Sequence, residues 1–107
     1  MSDAFDDREN AFEKQFAHDE DLRFKAVARR NKALALWVAE TKGLSPADAE
    51  TYAETFVGAQ VGRSDEDVAA ALKAELSGSG GDLSDHRLRK KMDEAMAAAV
   101  ASVKAGK

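Results

Sequence analysis

A chain of 107 residues with a net charge of −4 has room for one small domain, and 22 of its 47 hydrophobic positions are alanine. Seven aromatics and no isoleucine favour helices around a thin core and exclude a β-sandwich or a βαβ domain, which need runs of valine, isoleucine and threonine. The lack of cysteine excludes a disulfide framework or thiolate metal site, and no apolar run approaches the roughly 18 residues of a membrane span. The acidic first 20 residues do not resemble a secretory signal, so a soluble, cytoplasmic, all-α protein is expected.

In chain order, residues 1–18 come first. Phe5, Phe12 and Phe16 stand at i, i+7 and i+11, within about 40° of one another on a helical wheel. Asp3, Asp6, Asp7, Arg8, Glu9, Glu13 and Lys14 surround them, so the segment reads as an amphipathic helix whose apolar face is three aromatics and little else. Two readings stand side by side. In one, the segment docks its phenylalanines on the rest of the chain as a fifth helix or as an extension of the next one. In the other, it is mobile and loosely ordered alone and folds as a helix in a partner's groove.

Residues 19–107 read as a four-helix bundle. The first helix spans about Asp19 to Lys42, stops at Gly43, and carries Phe24, Val27, Ala28, Leu34, Ala35 and Val38 as its stripe, with Trp37 on the flank. Ser45-Pro46-Ala47-Asp48 opens the second, whose stripe is Ala49, Tyr52, Ala53, Phe56 and Val57 and which Gly62 ends. Ser64-Asp65-Glu66-Asp67 opens a shorter third helix burying Val68, Ala69, Leu72 and Leu76. The loop Ser77–Gly81 follows, and a last helix from about Asp82–Ser84 uses Leu88, Met92, Ala95, Met96, Ala99 and Val103. Four amphipathic helices on mostly short connections make an all-α, small four-helix bundle.

Charge falls in blocks of −6 over 1–21, +5 over 22–43, −5 over 44–76 and +2 over 77–107. Alternation of this kind suits helices that attract their neighbours and does not suit a nucleic-acid surface. Lys25, Arg29 and Lys32 share one face that reads as solvated or helix-pairing. With Arg87, Arg89, Lys90 and Lys91 it is also a weak candidate for attracting nucleotide phosphates, since there is no P-loop. The two histidines, His18 and His86, make no metal site, and His18 beside Asp19 and Glu20 reads as a plain solvated histidine, with a pH switch at the junction as the lesser alternative. No carboxylate pairs with a histidine and a nucleophile, and a bundle this small is expected to offer no large pocket. The expected catalytic residues, cofactors and metals are therefore none.

The stretch Phe5-Asp6-Asp7-Arg8-Glu9-Asn10-Ala11-Phe12-Glu13, with Lys14, Phe16 and Ala17-His18-Asp19-Glu20, resembles the start of the ATPase inhibitor subunit zeta family of alphaproteobacterial F-type ATP synthases. Phe24-Lys25, Ala28-Arg29-Arg30-Asn31-Lys32, Leu36-Trp37 and Ala39-Glu40 continue the likeness, and Ser84, His86, Arg87 and Lys91-Met92 carry it more weakly into the last helix. Ala35 stands where that family usually has glycine, and the 58–64 connection lacks its acidic, proline-containing link; both departures bear on bundle geometry. The resemblance implies a four-helix bundle whose N-terminal segment, residues 1–19, inserts as a helix into the catalytic α/β interface beside the rotor and blocks hydrolytic rotation. It implies Phe5, Arg8, Glu9, Phe12, Glu13, Lys14 and Phe16 as partner-binding residues, and the α, β and γ subunits as partners. It further implies a free monomer that reaches the inner membrane only through the synthase, without inserting in the membrane itself. The alternative is a small nucleotide-binding or adaptor module acting through its bundle surface.

Overall fold

Three serines set three of the helix starts. The Ser45, Ser64 and Ser84 hydroxyls accept from the backbone N–H groups of Asp48, Asp67 and Arg87 at 3.2, 3.1 and 3.2 Å, each satisfying a donor that the first helical turn leaves unpaired. In the computed structural model, which describes residues 20–77 and 84–106, the helices are α1 (Glu20–Thr41), α2 (Pro46–Gln60), α3 (Asp65–Ser77) and α4 (Asp85–Lys104). The chain is a four-helix bundle, and among the described residues there is no strand. Gly43 ends α1 at φ 77°, where its N–H donates to the Glu40 carbonyl and the Leu44 N–H to that of Ala39, both at 3.0 Å. This paired closure needs a left-handed residue, which glycine adopts without a Cβ penalty. Gly58 and Ala59 belong to α2, so the link to α3 is only Val61–Ser64.

α1 is the hub, packing on α2, α4 and α3, while α4 also touches α3. The main core joins Leu34, Ala35 and Val38 of α1 to Ala53 and Phe56, to Val68, Leu72 and Leu76, and to Leu88 and Met92. A second cluster joins Ala26 of α1 to Ala99, Val100 and Val103 of α4. The Arg29 guanidinium donating to the Ser102 hydroxyl at 2.6 Å, and the Lys91 ammonium 5.2 Å from the Trp37 ring, fix α1 and α4 as antiparallel. Five of the 15 buried apolar residues in the described chain are alanine. Small side chains let helix backbones approach closely but contribute little burial each, as the composition suggested.

One sequence expectation needs correction here. Phe24, expected in the core stripe, is 59% exposed, and Val27 and Ala28 are only half-buried. Ala26, Arg30 and Asn31 are buried instead. The cause is helix length. At about 1.5 Å per residue, the 22 residues of α1 span about 33 Å and the 15 of α2 about 22 Å. Phe24 lies seven and eleven residues before the buried Asn31 and Ala35, hence on the same face, but beyond the reach of α2. α4, with 20 residues, covers the adjoining face along nearly its whole length. Of Lys25, Arg29 and Lys32, expected as a solvated or helix-pairing face, two pair with neighbouring helices: Arg29 with α4, and Lys32, whose ammonium lies 3.5 Å from Glu50 of α2.

A polar cluster closes the opposite end of α1. The Glu75 carboxylate accepts from the Lys42 ammonium and the Tyr52 hydroxyl, both at 2.7 Å. Those two bonds, that of Lys42 first, hold Glu75 below the ordinary carboxylate range. Burial, followed by the bond to Glu75 and its charge, pushes the Tyr52 phenol well above its ordinary 10.0. The folded chain therefore keeps the phenolic proton longer than the unfolded one, so this contribution to stability is complete below pH about 10 and is lost as pH rises beyond it. Phenolate absorbance reads this single tyrosine directly. Its midpoint is expected above 10.0 in the folded chain and only part-way back in Glu75→Gln, because burial persists. An ordinary midpoint while the helical circular dichroism is intact would contradict the contact.

Candidate functional site

The residues singled out for partner binding (Phe5, Arg8, Glu9, Phe12, Glu13, Lys14 and Phe16) lie outside the described residues, as does His18. The structure describes the platform to which they are joined. Glu20, the first described residue, is also the first of α1 and lies on the rim of an open groove of about 550 Å3. One wall is the first turns of α1, presenting Phe24, Val27 and Ala28. The other is the end of α2 and its link to α3, presenting Val57 and Val61. Val61, like Phe24, is 59% exposed, so the two large apolar side chains most open to solvent in the described chain line one groove. The expectation that so small a bundle has no large pocket is thereby corrected: unequal helix lengths leave a trough that composition could not reveal.

Arg23 and Arg63 lie on the rim with Glu20, and the buried Asn31 and Gln60 contribute polar lining. Asp65 reaches the same groove from the first turn of α3, where the helix dipole favours a carboxylate. Its oxygen accepts from the Arg30 Nη1 at 2.7 Å, and Arg30 is 2% exposed. The Arg30 Nε donates to the Asn31 Oδ1 at 3.0 Å, while Nη2 is buried without a hydrogen-bond partner. The sequence reading missed this arginine because a basic residue in an Arg-Arg-Asn-Lys run reads as solvated. The one signal available was its spacing of four from Ala26 and from Leu34, both buried.

Among the described residues no group of three or more histidine, cysteine, aspartate or glutamate side chains is placed to hold a metal, and no helix is long and apolar enough to cross a membrane. Of the basic residues suited to phosphates, Arg29 and Lys91 are engaged with Ser102 and Trp37. The ATPase inhibitor subunit zeta family model matches residues 1–102 of the chain. The chain belongs to the ATPase inhibitor subunit zeta family. No curated protein and no solved structure gives a match. The zeta match runs without interruption from the aromatic segment through nearly all of α4, so segment and bundle belong to one family unit. Membership makes this chain an ATPase inhibitor in the general sense, a protein whose partner is the enzyme it restrains.

Proposed function

We propose that the chain inhibits ATP hydrolysis by the F-type ATP synthase, with residues 1–19 as the inhibitory element and the bundle as its carrier. The observation that carries this reading is that the family match starts at residue 1, within the segment whose apolar face is Phe5, Phe12 and Phe16.

The segment enters the catalytic α/β interface beside the rotor and folds there as a helix. Its three rings bury in a groove that opens and closes as the rotor turns, and such aromatic anchors carry most of an interface's energy. Arg8, Glu9, Glu13 and Lys14 pair with charges at the groove's edge and set register, contributing specificity more than affinity. Ordering the segment on binding costs conformational entropy, which keeps the complex reversible. The wedged helix stops hydrolytic rotation and leaves synthesis largely free. The role is inhibitory rather than catalytic, and it brings the protein to the inner membrane only through the synthase.

Phe12→Ala tests the anchor. Loss of one desolvated ring costs about 2 kcal/mol of binding, a weakening of inhibition by roughly thirtyfold, while the thermal midpoint of the bundle stays where it was. Full potency in Phe12→Ala, measured as ATP hydrolysis by the purified synthase, would remove Phe12 from the interface.

A further inference from the structure

We infer that Met96 is a peroxide-sensitive fastener: oxidation of its thioether to the sulfoxide loosens the seam that holds the first turns of α1 to α4, and the inhibitor is weakened while it stays oxidised. Only the last clause rests on the proposed function.

Without cysteine, the chain keeps its sulfur in Met1, Met92 and Met96. Met1 lies outside the described residues. Met92 is 1% exposed and sits in the main core, whereas Met96, one turn further along α4, is half-buried and so open to small oxidants.

Its surroundings give that exposure a consequence. Met96 packs against the second cluster, whose buried members are Ala26 of α1 and Ala99, Val100 and Val103 of α4. Before Leu34, Ala26 is the only apolar residue of α1 that is fully buried, so this small cluster is the main apolar tie between the helix's first turns and α4. Two alanines and two valines offer little apolar surface each, which makes Met96 and Leu22 the largest side chains in contact with the cluster. The main core and the hydrogen bond from Arg29 to Ser102 do not involve this sulfur, so its oxidation loosens the seam without unfolding the bundle.

The reaction is a two-electron oxygen transfer. The sulfur lone pair attacks one oxygen of hydrogen peroxide, and an S–O bond forms as the O–O bond breaks. The departing hydroxide takes the proton of the transferred oxygen and leaves as water. A sulfoxide is polar and accepts hydrogen bonds, so it turns from the cluster towards water and the apolar contact is lost. A thiol-dependent sulfoxide reductase reverses the step, returning two electrons and two protons and releasing the oxygen as water. In the proposed function the inhibitory element is joined to this end of α1, and a molecule with its seam open must close it to act. If about a fifth to a half of the oxidised molecules are closed, the apparent affinity for the enzyme falls about two- to fivefold.

The test uses the full-length chain, treated with hydrogen peroxide and resolved by peptide mass mapping. Met96 should be oxidised at least about tenfold faster than Met92, as solvent access dictates. The Met96 sulfoxide should lower the thermal midpoint by about 4–8 °C. It should also speed amide exchange at Ala26 and Val100 more than at Leu72 of the main core. Met96→Leu keeps the apolar volume and removes the reaction, so its midpoint and exchange should not respond to peroxide. Met92→Leu should respond as the parent chain does. Oxidation of Met92 as fast as Met96, or an unchanged midpoint with Met96 fully oxidised, overturns the fastener. An equal response in Met96→Leu overturns it too, by giving the effect to another residue. In the hydrolysis assay, oxidation should raise the half-inhibitory concentration about two- to fivefold, with recovery after the reductase and no change in Met96→Leu. Unchanged potency with Met96 fully oxidised overturns the last clause. Failure of every version of the chain to inhibit would count against the proposed function and leave the exchange result standing.

Discussion

Asp65→Ala should destabilise the bundle by about 2–4 kcal/mol, the largest stability effect expected from a single polar substitution in this chain. The guanidinium it abandons is 2% exposed, and Nη1 loses its only carboxylate partner while Nη2 already lacks one. What remains is a buried cation whose one neutral partner among the described residues is the Asn31 side chain. Asp65 is itself 17% exposed, so water softens the loss and places the effect below that of a fully dry pair. In thermal unfolding a loss of this size lowers the midpoint by roughly 10–20 °C for a domain this small. The surface pair Lys73–Asp85, although only 2.6 Å long, has both partners mostly in solvent, and Lys73→Ala should shift the midpoint little. A double variant, Arg30→Met with Asp65→Asn, removes the charge along with its partner and should recover most of the stability lost in Asp65→Ala. A double variant no more stable than Asp65→Ala would show that the carboxylate acts through the start of α3 and not through Arg30.

The second large effect concerns residues 1–19. Their removal should abolish inhibition, raising the half-inhibitory concentration at least about a hundredfold, because three aromatic anchors go together. The helical bundle should survive it, because the main hydrophobic cluster of the described residues already ties all four helices together. Among the described residues a single aromatic, Phe56, is well buried; Trp37 and Tyr52 are half-buried and Phe24 is exposed.

Most of the fold was legible because its signals are local. Ser45, Ser64 and Ser84 cap helices through a hydroxyl and an N–H three residues apart, and Gly43 and Gly62 stop them at φ 77°. These contacts need nothing from the rest of the chain, so spacing alone reveals them. The first half of α1 was not legible for the opposite reason. Whether the face bearing Phe24 is covered depends on how far a neighbouring helix extends, and the periodicity of α1 contains no information about α2. Arg30 was missed because its burial is made possible by Asp65, 35 positions away and on another helix. The groove followed from the same two facts and was missed with them. Of the site itself, the aromatic spacing that singles out Phe5, Phe12 and Phe16 is a property of the sequence, and the family match covers those positions.

The claim that inhibition resides in the N-terminal segment is tested most directly by titrating the whole chain, and a chain beginning at Glu20, into the purified ATP synthase of its own organism, with hydrolysis and synthesis measured separately. The expected result is dose-dependent loss of hydrolysis with synthesis largely retained for the whole chain, and no loss of either for the shortened one. Equal inhibition by the two chains would contradict the account, for it would place the inhibitory surface on the bundle.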